Sequence, residues 1–225
     1  MSQAAEDWSY TIQPVTKDDV EKIIALLKKT FYVDEPLNEA VELWNENQPC
    51  EELDEYCVSS LLKGYSFKAV DKQGNIVGAM ISGVCNISED TVEAALKEAE
   101  QCKNPKFQRI LYILAKREEG ARLWEKFPKE NELVEIKVAA TDPKWRRRGI
   151  MNKLVAETEK LLKERKIRVL RLDTSSAYSA MSAERMGFTC VYRARYRDLK
   201  KDGQPLVLPK EPHIEDCVYV KELFD

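Results

Sequence analysis

Apolar residues recur at helical spacing in Val20, Ile23, Ile24, Leu27 and Phe31, which predicts a helix capped by Asp18 or Asp19 and ending near residue 33. Residues 10–15 ahead of it suit a first strand. Pro36 disfavours helix at Glu35, so further helical segments are expected around residues 39–45 and 51–62. Residues 65–70 and 76–85 read as two strands, joined as an antiparallel hairpin through Lys72, Gln73, Gly74 and Asn75. Helical signals return over 88–102 and 106–127. From there the pattern alternates: strand 132–141, helix 149–165, strand 167–173, helix 179–186, strand 188–195. Such alternation implies at least one parallel crossover after the hairpin, hence a mixed α/β sheet with helices on both faces. Residues 207–211 carry Pro209, with Pro212 directly after them, and read as loop, and 216–222 form a last strand.

No 20- to 50-residue repeat and no Gly/Ser- or Pro-rich linker divides the 225 residues, so one domain over residues 1–225 is expected. The longest apolar run, Ile110 to Ala115, is far short of the roughly 18 residues a membrane-spanning helix needs, so no membrane partner is expected. The first ten residues have no cationic flank followed by an apolar stretch, which argues against a secretory signal and for a soluble, cytoplasmic protein. The six cysteines are scattered without a CxxC pair and read as free thiols. With His213 the single imidazole in the chain, multi-histidine metal sites are excluded and no metal is expected.

The stretch from Val138 to Leu162 carries the most chemistry. A strand ends, Asp142 and Pro143 turn the chain, and Lys144-Trp145-Arg146-Arg147-Arg148-Gly149 opens a helix with an inner stripe of Ile150, Met151, Leu154, Thr158, Leu161 and Leu162. Free backbone N–H groups at a helix start, beside three arginines, make an anion site suited to a pyrophosphate. Gly149 lets the backbone approach such a ligand with no Cβ in the way. The same residues also read as a solvated basic turn or a nucleic-acid patch. Nucleic acid would need a broader basic face, and the chain is net acidic, with 36 Lys and Arg against 39 Asp and Glu.

At this stretch the sequence resembles the GNAT superfamily of acyl-CoA-dependent N-acyltransferases. The family's phosphate motif, [Q/R]-x-x-G-x-[G/A], stands here as Arg146-Arg147-Arg148-Gly149-Ile150-Met151, with Met151 departing from the small residue the family uses. Three further segments, TFYVDEPLN from Thr30, NPKFQRIL from Asn104 and SSAYSAMSAERMGF from Ser175, resemble blocks of the insect arylalkylamine N-acetyltransferases, in an order and spacing that cover nearly the whole chain. The resemblance implies a GNAT fold with a mostly antiparallel sheet and its parallel crossover at the cofactor site. It implies that backbone amides from Arg147 to Met151 hold the pyrophosphate of acetyl-CoA, and that Ala139, Ala140 and Thr141 pair with the pantetheine arm. A backbone N–H near Ala140 or Thr141 would meet the oxyanion.

For the chemistry, the resemblance names Glu35 as general base, Ser175 and Ser179 as donors to the departing thiolate, and His213 as a residue near the acceptor amine. A base is needed because an alkylamine of pKa near 10.4 is free only about once in a few thousand molecules at pH 7. Taken alone, each residue also has a plainer reading: Glu35 at a helix end, Ser175 and Ser176 closing a strand, Ser179 capping the next helix, His213 on the surface. The expectation is thus a monomeric N-acetyltransferase acting by direct attack in a ternary complex of acetyl-CoA and a small arylalkylamine. Polyamine or protein-amine acceptors, a longer acyl donor, and a CoA-binding module without turnover stay open. Met151 is the feature that keeps the last alive.

Overall fold

The computed structural model describes residues 7–225. Its strands are β1 Tyr10–Pro14, β2 Phe67–Asp71, β3 Ile76–Asn86, β4 Glu132–Thr141, β5 Val169–Thr174, β6 Thr189–Arg195, β7 Lys200–Lys201, β8 Gln204–Pro205 and β9 Glu215–Glu222. Its helices are α1 Val20–Lys28, α2 Phe31–Asp34, α3 Pro36–Ala40, α4 Glu51–Leu61, α5 Asp90–Gln101, α6 Pro105–Ala121, α7 Leu123–Lys126, α8 Ile150–Glu164 and α9 Ala177–Arg185. Seven strands form one mixed sheet in the order β1-β2-β3-β4-β5-β9-β6. All neighbours in it are antiparallel except β4 and β5, which are parallel. One face packs against α1, α4 and α6 through residues such as Ile23, Leu27, Leu53, Ile113 and Ile81. The other packs against α8 and α9 through Ile150, Leu154, Ala183 and Met80. The expected mixed sheet with helices on both faces and a parallel crossover is therefore present.

Several local expectations need correction. The first helix does not run unbroken to residue 33. Thr30 turns its hydroxyl back to the Leu26 carbonyl at 2.7 Å and leaves helical geometry, so α1 stops and α2 starts anew. Asp19 reaches back to the Thr16 amide at 2.8 Å instead of capping α1 with its side chain. The segment expected at 39–45 starts earlier: Pro36 occupies the first position of α3 and Glu35 caps it, and the helix ends where Glu42 takes φ 49°. The long helix expected over 106–127 breaks at Arg122, whose φ is 46°. Ser176, not Ser179, caps α9. The small β7–β8 hairpin was not expected.

Two features of β4 position the site. Ile81 pairs with Val138 and Ser82 with Ile136, so Lys137 is the extra residue of a bulge. On its other edge β4 pairs with β5 only at Val134, Glu135 and Ile136. Beyond that point the two parallel strands part. Ala139, Ala140 and Thr141 keep their β3 partners and leave the β5-facing edge without a ladder.

Candidate functional site

A cavity of about 460 Å³ opens where β4 and β5 part. Ala139, Ala140 and Thr141 line one side, and Ser175, Ser176 and Ser179 line the other, at the β5–α9 junction. Phe31, Leu53, Tyr56, Phe107, Ile110 and Leu114, from α2, α4 and α6, make its apolar wall. The Asn104 side chain, accepting from the Lys106 and Phe107 amides, starts α6 and so aims that wall.

Glu35 lies in this cavity at the α2–α3 junction, half-buried. Its extended backbone, ψ 128°, is what Pro36 imposes on the residue before it. Oε2 accepts from the Asn38 amide at 2.7 Å, and Oε1 accepts from the Ser175 hydroxyl. Both readings of Glu35 thus hold in one geometry: it caps α3 and faces the cavity. Burial pushes its carboxyl above the ordinary 4.5, outweighing the Ser175 hydroxyl, the Asn38 and Leu37 amides and the Arg117 charge, which pull the other way. A carboxylate so raised is a stronger base toward an ammonium group.

Ser175 is therefore engaged by Glu35, while Ser179 Oγ donates to the Ser176 carbonyl at 2.9 Å and stays on the cavity wall. Rotation about one bond would turn that hydroxyl elsewhere. His213 is not brought to the cavity lining; its Nδ1 accepts from the Ala177 amide at 3.2 Å and its ring meets Tyr178 edge-on. That bond satisfies an orphan amide of the first turn of α9.

In the basic loop, Gly149 takes φ 75° and Arg147 φ 63°, so the chain coils before α8 and the amides of Ile150 and Met151 begin the helix without intrahelical acceptors. A Cβ at Gly149 would meet nothing nearer than Tyr10 Oη at 3.9 Å, so the residue is needed for its backbone angle and not for clearance. The arginines are not equivalent. Arg146 pairs with Asp34 at 2.5 Å at the cavity mouth, Arg148 stacks over the Trp8 ring at 3.3 Å, and Arg147 is exposed. Ile150 is buried and Met151 lines the cavity while packing partly into the α8 side of the core. A gap beside an unpaired strand edge, with coiled amides at a helix start, fits an elongated thioester cofactor that carries a pyrophosphate beyond its pantetheine arm.

The sequence reasoning missed the buried charges behind the cavity. Arg117 grips Asp216 through Nε and Nη2 at 2.8 and 2.6 Å and stands 3.6 Å from Asp173. Arg171 holds Asp173 at 2.8 Å through both Nε and Nη2 and also bonds Glu118. The signal was present, since Arg117 continues the Ile110, Ile113, Leu114 stripe and Asp216 precedes an apolar strand. A charge at a core position calls for a partner elsewhere. Burial and the Glu135 charge keep the Tyr56 phenol protonated beside this cluster.

A model of the acetyltransferase (GNAT) family matches residues 25–188. Among solved structures, arylalkylamine N-acetyltransferase 2 from Aedes aegypti superposes with a TM-score of 0.88 at 24% identity, over 96% of this chain and 99% of that one. The Drosophila melanogaster polyamine N-acetyltransferase, an enzyme that catalyses formation of N-acetylagmatine, gives 0.85 at 23% identity, over 95% and 100%. The C-terminal condensation domain of Ebony, in complex with beta-alanyl-dopamine, gives 0.67 at 12% identity, over 95% and 99%. The likeness to these three is one of fold. With the family model spanning most of the chain and a sheet that splits at β4–β5 beside a coiled arginine-glycine loop, this chain belongs to the acetyltransferase (GNAT) family.

Proposed function

We propose that the protein transfers an acetyl group from acetyl-CoA to the primary amine of a small arylalkylamine, by direct attack in a ternary complex. GNAT enzymes take acetyl-CoA as co-substrate. The observation that carries the reading is that Glu35, a carboxylate of raised pKa, shares one cavity with the open β4 edge and an apolar, partly aromatic wall. Ala139, Ala140 and Thr141 would hold the pantetheine arm, and the amides from Arg147 to Met151 the pyrophosphate. The amine nitrogen forms a bond to the thioester carbon as the carbon–sulfur bond breaks. Glu35 takes the amine proton, directly or through water, and the Ser179 hydroxyl supplies a hydrogen bond to the departing sulfur. Ser175 holds Glu35, and His213 holds the start of α9.

The aromatic wall of Phe31, Tyr56 and Phe107 supports an aryl acceptor, since a ring buried there gains offset or edge contacts beyond its area. A polyamine acceptor is the second reading. It is favoured by Glu135, which lines the cavity and accepts from the Cys85 thiol at 3.2 Å. A panel of arylalkylamines, polyamines and peptide amines with acetyl-CoA, followed by release of free CoA thiol, separates the two. Preference for phenethylamine-type acceptors supports the aryl reading, preference for polyamines the second. CoA binding with no release across the panel removes both.

A further inference from the structure

Tyr196 lies in the single 3-10 turn after β6, outside every motif that pointed to chemistry, and its ring is 2% exposed. Its hydroxyl reaches the Ser175 carbonyl oxygen at 2.9 Å, with Asp216 Oδ1 at 3.3 Å on the same group. Asp216 is fully buried and held bidentately by Arg117. Ser175 in turn gives its hydroxyl to Glu35. The one phenol proton thus points at the nearer Ser175 carbonyl with the Arg117-held Asp216 as its second, longer acceptor, and the Ser175 side chain carries the contact on to the carboxylate in the cavity.

The place of Ser175 explains why it needs an anchor. The β5–β9 ladder ends at Thr174 opposite Cys217, and α9 is capped by the next residue, Ser176. Ser175 sits between the two, where neither the sheet nor the helix fixes its carbonyl, and the Tyr196 hydroxyl supplies that bond. We propose that Tyr196 is a positioning residue for acetyl transfer: by holding the Ser175 main chain it keeps the Ser175 hydroxyl on Glu35 and the carboxylate aimed at the acceptor amine. This rests on the reading of Glu35 as the base.

The signature is a change in pH dependence. The Ser175 hydroxyl is one of the groups that favour ionised Glu35, so loosening it leaves burial less opposed and Glu35 ionises at higher pH. Among the other groups around Glu35, Asp216 also loses its Tyr196 contact but keeps both Arg117 bonds, and the rest stay as they are. Arg117 faces it from α6, Asp173 from β5 is neutralised by Arg171, Asp216 from β9 is neutralised by Arg117, and Asp34 at the mouth is paired with Arg146. His213 is occupied with the Ala177 amide, and Glu135 lines the cavity from β4.

The test is kcat/KM for the amine against pH, on the full chain, for wild type, Tyr196→Phe, Ser175→Ala and the double variant. Tyr196→Phe should lose about tenfold on the acid side and less on the alkaline side, the order expected for weakening one hydrogen bond to a charged group. Ser175→Ala should move the same way, and the double variant should be no worse than Ser175→Ala, because both act through one bond. The KM for acetyl-CoA should stay within about twofold, as uniform binding is untouched. Tyr196→Met gives a second removal of the hydroxyl should the Phe variant not fold. A loss equal at every pH, or losses that multiply in the double variant, would overturn the positioning role and leave Tyr196 a packing residue. Glu35→Gln run alongside separates the two ideas. If it keeps turnover, the reading of Glu35 is wrong; if it stops turnover while Tyr196→Phe keeps the wild-type profile, only the role of Tyr196 is wrong.

Discussion

Gly149→Ala tests the cofactor loop through backbone energetics alone. Gly149 stands at φ 75° and an added Cβ has room, so the substitution introduces strain without a clash. An L-residue in left-handed geometry costs about 1–2 kcal/mol. For a chain of 225 residues, at about 2–4 °C per kcal/mol, that lowers Tm by about 2–8 °C. Gly74 supplies the control. It has φ 84° and open space around it, but sits in the β2–β3 turn, so Gly74→Ala should show the same loss of Tm. The two differ in function. If residue 149 escapes its strain by returning to negative φ, the amides of Ile150 and Met151 turn away from the loop, and each charge-assisted bond lost is worth about 1.5–3 kcal/mol. The acetyl-CoA KM of Gly149→Ala should then rise about tenfold or more, with amine KM near wild type, while Gly74→Ala keeps both. Thermal melts with and without CoA, followed by steady-state kinetics, read this out. Equal loss of Tm in the two variants with unchanged acetyl-CoA KM in Gly149→Ala would refute the assignment of the pyrophosphate to this loop.

Ser179→Ala should lower kcat by about 10- to 100-fold with near-normal amine KM, because the lost donor acts mainly in the transition state; unchanged kcat removes Ser179 from the mechanism. Arg117→Met leaves Asp216, with 0% exposure, as an uncompensated buried charge, at a cost of about 3–5 kcal/mol. Thermal denaturation should show a fall of more than about 6 °C, and a fall under about 2 °C would contradict the ion pair. Glu35→Gln should trade activity for stability. Because burial raises the folded-state pKa of Glu35 above 4.5, the folded chain binds that proton more tightly, and ionised Glu35 lowers stability as pH rises through the folded pKa. The variant should therefore melt higher than wild type at neutral pH and lose its advantage at or below pH 4.5; a lower Tm at neutral pH would show that Glu35 is better solvated than its surroundings imply.

What the sequence made legible was local. Alternation and helical spacing located most strands and helices, and the strand-helix-strand run from β4 through α8 to β5 implied the parallel crossover, because a parallel neighbour needs a connection of that length. The entry of β9 between β5 and β6 was not legible, since it depends on pairing across the sheet and not on any local pattern. The break at Thr30 turned on one hydroxyl bonding back to Leu26, which apolar spacing does not register. In the serine-rich block, Ser175, Ser176 and Ser179 offer the same chemistry at neighbouring positions. Only coordinates distinguish the partner of Glu35 from the helix cap and the residue left on the cavity wall. The contact that matters most joins positions 140 apart, and the supporting Arg117–Asp216 pair joins positions 99 apart. His213 is expected by resemblance near the acceptor, and the fold sets it against the Ala177 amide and the ring of Tyr178, a residue of the cavity lining.

The most direct test is the rate of CoA thiol release from acetyl-CoA and an arylalkylamine by Glu35→Ala, measured beside its Kd for CoA. A loss of about 100-fold or more in kcat/KM with CoA affinity within about twofold of wild type is the predicted result, since general-base catalysis contributes on that scale and the carboxylate takes no part in holding the cofactor. Turnover close to wild type, or a loss of rate matched by a loss of CoA binding, would contradict it.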